Sequence, residues 1–194
     1  MPFTRTQIAN MALGHIGTYR INAYTEDSNE AVAVREVYER VKLDLLASAP
    51  WDFAIDQQQL GRVGATPVTR YTYAYNKPTN WLRTVALSEY SDMGIPLLEY
   101  RDIAGTIQTN AEYVFMEYVS SAAGEEVFSV PFVTAFTFGI AVECCKKINA
   151  SDQQKDYLAK QFDREKVKAL MLEAMHQPPI AIPPSSWATA RRGR

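Results

Sequence analysis

"EDSNEAVAVREVYERVKLDLLASAPWDFA", residues 26–54, decides the reading of the fold. Ala31, Val34, Tyr38, Val41 and Leu45 recur at alternating spacings of three and four, which sets them on one face of an α-helix. Leu43 and Leu46 broaden that stripe toward its end. Asp27 followed three residues later by Glu30 has the form of a capping box, with Asp in the place usual for Ser or Thr. Pro50 stops the helix, because the residue before a proline is pushed out of the α region. Trp51 and Phe53 then lie two apart, as on one face of an extended strand. They are expected to cover the helix end, since each aromatic buries a large area.

Upstream, a first helix runs from Thr4 or Thr6 to Ile16. Ile8, Met11, Ala12 and Ile16 share a face, Leu13 widens it, and Gly17 closes it in the left-handed conformation. Downstream, from Ala54 to Ser121, the apolar period falls to two. "YTYAY" puts Tyr71, Tyr73 and Tyr75 on one face. "WLRTVAL", "PLLEYRDI" and "EYVFMEYVS" are further strand candidates, punctuated by "NKPTN", "SDMG" and "QTNA". "EYVFMEYVS" carries large residues on both faces and is expected to be central or covered twice.

A third helix spans Pro131 to Ile148, with proline in its first turn. It is apolar nearly all round, which requires burial on several sides, and Gly139 inside it allows a close backbone approach. Ser151 with Gln154 forms another capping box for a fourth helix that runs to His176. Tyr157, Leu158, Phe162, Val167, Leu170, Met171 and Met175 mark its expected buried side. Pro178 and Pro179 end it.

The order is helix, helix, β block, helix, helix, tail. It predicts an α+β fold: a helical bundle of four main helices with an inserted antiparallel β-rich domain and an extended C-terminal tail. The bundle takes residues 1–53 and 130–176, the β-rich insertion 54–129, and a Pro-rich arm 177–194.

The 194 residues carry a net charge of −2, so no global basic field exists to hold nucleic acid. "MPFTRTQIANMALGHIG" does not read as a signal peptide, and no apolar run is long enough for a membrane span. Cys144 and Cys145 are adjacent, a placement that rarely bridges, which fits synthesis in a reducing cytoplasm.

Sites for chemistry are scarce. His15 and His176 both fall near helix ends, where the dipole favours a cation, and neither belongs to a zinc-spaced cluster. "ECCKK" lies in the most apolar helix, where cysteines pack as small hydrophobes. The glycines form no phosphate-binding loop, and no nucleophile elbow is present. Glu26/Asp27 and Glu125/Glu126 read as solvated faces or helix starts rather than hydrolytic pairs. The tyrosine ladder lacks the interleaved cations of a base-stacking platform and reads as core or interface packing. No catalytic residue, cofactor or metal is predicted.

The closing stretch "HQPPIAIPPSSWATARRGR" has neither helix nor strand period and cannot bury its own apolar residues. Ile180, Ile182 and Trp187 are anchors of the kind worth roughly 1.5–3 kcal/mol each on burial. Arg191, Arg192 and Arg194 suit carboxylates on a partner. In polyproline form 18 residues reach about 55 Å, beyond a body of about 40 Å diameter. The tail is therefore expected to lie on another subunit.

"ALGHIG", the 26–54 segment, Leu60, and "RYTYAYNKPTNWLR" follow one another in an order that resembles the tail tubular protein A family of short-tailed bacteriophages. The likeness is best over Gln7 to Arg83. It implies a virion structural protein, not an enzyme: a head-to-tail adaptor made in the host cytoplasm. Such adaptors form a ring, usually dodecameric, between the portal protein and the tail nozzle (a tail tubular protein B-like partner). The genome passes through that ring on ejection without specific binding, and no membrane is involved. The family fold joins a helical bundle to a β-sandwich-like domain, and its C-terminal segments often reach the portal, which makes Ile180 to Arg194 the expected docking arm. Alternatives are another connector ring protein (head completion or tail terminator), a small cell-wall hydrolase, or a nucleic-acid-binding module.

Overall fold

A computed structural model describes residues 2–64, 67, 69–145, 147–148 and 151–176. Among them are four α-helices, one turn of 3-10 helix and two small antiparallel sheets of three strands each.

Helix α1 (Arg5–Ile16) begins at Thr4, whose hydroxyl accepts from the Gln7 N–H at 3.2 Å while the Gln7 side chain accepts from the Thr4 N–H at 2.9 Å. This reciprocal cap satisfies two donors that the first helical turn leaves unpaired. Gly17 ends the helix at φ 81°, as its position predicts. Ile8, Ala9, Ala12, Leu13 and Ile16 are buried, but Met11 is exposed. The inward face is thus rotated toward Ala9 and Leu13 from the predicted one.

Helix α2 (Asn29–Ala47) buries its whole predicted stripe, Ala31, Val34, Tyr38, Val41 and Leu45, with Leu46 beside it. Its cap is Ser28, whose hydroxyl accepts from the Ala31 N–H at 3.4 Å, and not Asp27. Glu30 instead accepts from the Thr18 hydroxyl at 3.3 Å. Past Pro50 the chain forms a 3-10 turn, Asp52–Ala54, rather than the predicted strand. The turn brings Trp51 back over α2, where its indole N–H donates to the Leu45 carbonyl at 2.9 Å. Trp51 and Phe53 stack at 6.1 Å, and each meets Phe132 edge-on at 5.0 Å.

The β block contains β1 (Ile55–Gln59), β2 (Tyr73–Asn76), β3 (Trp81–Ser88), β4 (Tyr100–Ile103), β5 (Thr106–Thr109) and β6 (Phe115–Ser120). One sheet runs β1-β6-β3 and the other β2-β5-β4. β6 is central, as its large residues on both faces predict. Tyr118 lies opposite Asp56 on one side and Thr84 on the other. β4 and β5 are joined by Ala104 and Gly105, at φ 50° and 78°, the pair of positive values that a two-residue hairpin turn requires. Gln108 and Thr109, read from sequence as turn residues, belong to β5. Of "PLLEYRDI" only the last four residues form a strand, and Pro96 makes a single bridge to Ser88. Tyr71 precedes β2, so the predicted three-tyrosine ladder keeps only Tyr73 and Tyr75 in register.

Helix α3 (Val130–Cys144) is capped by Ser129, carries Pro131 in its first turn, and stops short of the predicted Ile148. A Cβ added at Gly139 would lie 2.8 Å from Val41 Cγ1 and 3.0 Å from the Phe162 ring, so α2 and the fourth helix approach α3 closely at this glycine. Helix α4 (Asp152–His176) starts after Ser151, whose hydroxyl accepts from the Gln154 N–H at 3.2 Å. The predicted box stays half closed, because the Gln154 amide donates instead to the Ile16 carbonyl at 2.5 Å. Leu158 and Ala169 are buried, and Phe162 and Leu170 are half-buried. Tyr157, Val167, Met171 and Met175 are exposed, contrary to prediction. α4 packs mainly on α3, and Tyr157, Val167, Met171 and Met175 lie on its exposed side.

Two apolar clusters result. The larger gathers all four helices and takes in Trp51 of the turn and Val119 of β6. The smaller lies in the β block around Tyr75, Leu87, Ile107, Val114 and Met116.

Candidate partner interface

The predicted docking residues, Ile180, Ile182, Trp187, Arg191, Arg192 and Arg194, lie outside the described residues, as does the whole arm from 177. The described residues end with α4. α4 is held near its start by the Gln154–Ile16 bond and near its end by Glu173, whose carboxylate accepts from the Asp52 N–H at 2.7 Å. The last helical turn is thereby tied to the junction between α2 and β1.

Among the described residues, two of the exposed surfaces that carry apolar side chains bear on an interface. The first is the outer face of α4, where Tyr157, Met171 and Met175 are 59%, 63% and 81% exposed. The second is an open cleft of about 490 Å³ at the end of β3 and the segment leading to β4. Ile95 and Leu98 stand out there at 62% and 83% exposure, with Tyr90 beside them. Three carboxylates, Glu89, Glu99 and Glu112, line the same cleft, which has no lining cation. The strand pattern left this patch unnoticed, because its residues come from loops and strand ends rather than one alternating run.

His15, Cys144, Cys145 and Glu125 are packed into the structure. His15 stacks on Phe138 at 3.9 Å and contacts the Thr137 hydroxyl at 3.2 Å. Burial lowers its pKa, which opposes the cationic role that its place near the helix end suggests. His176 closes α4. Cys144 and Cys145 are free and buried; desolvation raises both thiols, Cys144 to about 12, so neither is a ready nucleophile.

Glu125 is not the solvated carboxylate that sequence suggests. It accepts from the Arg5 guanidinium at 2.9 Å and the Tyr38 hydroxyl at 3.3 Å, and its side chain is only 13% exposed. Burial, then the Glu125 charge, pushes the Tyr38 pKa upward. The cluster joins α1 and α2 to the segment between β6 and α3. Glu26 accepts from the Asn22 N–H at 2.8 Å, a backbone bond that lowers its pKa.

The tyrosines offer no open stacking platform. Tyr75 is buried, and its hydroxyl donates to the Ala111 and Glu112 carbonyls at 2.8 and 2.6 Å. The Arg62 guanidinium covers the Tyr73 ring at 3.8 Å. Lys77 sits 3.5 Å over Trp81 while pairing with Asp102 at 2.6 Å. Among the described residues no group of three or more His, Cys, Asp or Glu is placed to hold a metal ion, and no helix is long and apolar enough to cross a membrane.

No protein-family model matches the chain, and no curated protein matches it.

Proposed function

We propose that this chain is a virion structural protein, a head-to-tail adaptor that forms a ring between a portal and a tail nozzle, with the genome passing through the hole. The four helices form one bundle in this reading, the β block is an inserted domain, and residues 177–194 are an arm that docks on the portal through Ile180, Ile182, Trp187 and the three arginines. The chain turns over no substrate.

One observation carries the proposal: a β block of two three-stranded antiparallel sheets lies between two helix pairs, the arrangement that the resemblance over residues 7–83 implies. Two further features fit. A ring requires heterologous contacts between unlike patches, and α4 and the cleft at the end of β3 are two such patches. A net charge of −2 suits a conduit, because a strongly basic wall would retain DNA through counterion release.

Sedimentation of the purified chain, alone and mixed with its cognate portal, tests the proposal. A ring-bearing complex is expected on mixing. Two species that sediment independently contradict it.

A further inference from the structure

Resting on the ring reading, we infer which surfaces close the ring: the outer face of α4 on one copy seats in the cleft at the end of β3 on the next. Along α4, Tyr157, Lys160, Arg164, Lys168, Met171 and Met175 follow one another at spacings of three and four. They therefore form one stripe, about 27 Å long at helical rise, and all six are exposed. The buried Leu158 and Ala169 lie on the opposite side. Asp156 and Asp163 are set about 80–100° round the helix from the stripe centre, so the stripe itself is basic and apolar.

The cleft has the complementary composition. Glu89, Glu99 and Glu112 supply three negative charges, and Tyr90, Ile95 and Leu98 supply apolar surface. Among the described residues Lys160, Arg164 and the three glutamates form no ion pair within 4.0 Å, although Arg70 lies near enough to Glu99 to feel its charge; Lys168 pairs with Glu165 at 3.3 Å, an exposed contact of little worth.

Both faces stay exposed in one copy, so they do not satisfy each other there. Across two copies three cations meet three carboxylates, and methionines and a tyrosine meet Ile95, Leu98 and Tyr90. Such electrostatic matching sets register and excludes the reversed pairing of like faces. The contact joins unlike surfaces and so propagates head to tail, closing into a ring when the rotation permits. A single helix face is small beside the roughly 800 Å² per partner of a standard interface. The contact is accordingly weak between free copies and strengthened when a portal aligns them.

Charge reversal tests the inference on exposed positions, with sedimentation measured in the presence and absence of portal. One variant carries Lys160→Glu, Arg164→Glu and Lys168→Glu; the other carries Glu89→Lys, Glu99→Lys and Glu112→Lys. Each alone sets like charges against like and is expected to associate at least ten-fold more weakly than the wild-type chain. An equimolar mixture restores opposite charges at every junction of an alternating ring and is expected to regain wild-type assembly. Wild-type association by either variant alone, or a mixture that stays dispersed, overturns the inference while leaving the adaptor reading intact. A wild-type chain that forms no ring with its portal overturns both.

Discussion

The indole N–H of Trp51 reaches back six residues to the Leu45 carbonyl, at 2.9 Å, from a fully buried ring. The Ser48 hydroxyl donates to the same carbonyl at 2.7 Å. The same carbonyl also accepts from the Ser48 N–H at 3.2 Å, and the two side chains reinforce a helix end whose last carbonyls lack their i+4 partners. Trp51→Phe removes one donor and some volume and is expected to cost roughly 1–3 kcal/mol. Trp51→Ala also opens a cavity and is expected to cost about 3–5 kcal/mol. Urea unfolding checks both; a midpoint unchanged from wild type in Trp51→Ala would contradict this role.

Gly139 sets two effects against each other. Alanine in a helix interior is favoured over glycine by about 1 kcal/mol. A new Cβ would stand 2.8 Å from Val41 Cγ1 and 3.0 Å from Phe162, and overpacking of a close contact costs typically 1–3 kcal/mol. Val41 is buried on α2 and β-branched, so its χ1 is stiff in the helix. Gly139→Ala is expected to be destabilising on balance, by up to about 2 kcal/mol, and Val41→Ala in the same chain is expected to relieve the clash. A stabilised Gly139→Ala in thermal melts would show that the helices separate at little cost.

The pH dependence contributed by His15 has a definite sign. Burial holds its folded pKa below the ordinary 6.5, so the unfolded chain binds the proton more readily. Its contribution to stability is present in full above about pH 6.5 and is lost as pH falls from there toward the folded pKa. Unfolding free energies measured between pH 7.5 and 5 should therefore decline. His15→Gln, which does not titrate, is expected to decline less over the same window, and parallel curves would refute the assignment.

Cys144 and Cys145 report on opening of the core. Burial raises both thiols, and the thiolate is the reacting form. An aromatic disulfide reagent at neutral pH is expected to label neither cysteine in the folded chain and both on unfolding. Fast stoichiometric labelling without denaturant would mean that the end of α3 is open to solvent.

How much of this was legible in the sequence depended on how many neighbours each element has. α2 packs its stripe against one core, and all five predicted positions are buried. The cap was misplaced by one residue, because Asp27 and Ser28 are both good caps and only the backbone path separates them. β1, with its polar "IDQQQ", and β5, with "TIQT", lack the aromatic alternation of β3 or β6; they are held by the strands that they pair with. The end of α4 misled for the opposite reason. Leu158 and Phe162 turn toward the core, but Tyr157, Met171 and Met175 are apolar on the outer side, and periodicity cannot say which of two apolar faces meets the same chain. The cleft of Glu89, Glu99 and Glu112 joins residues up to 23 positions apart (112 − 89), a proximity that only pairing between strands creates. The arm residues, Ile180 to Arg194, rest on composition and on the resemblance.

Electron microscopy of the cognate portal mixed with this chain tests the central claim most directly. The account predicts a ring of copies beneath the portal, with residues 177–194 of each copy seated on a chain other than its own. A portal that stays bare, or a ring whose terminal segments lie back on their parent subunits, would contradict it.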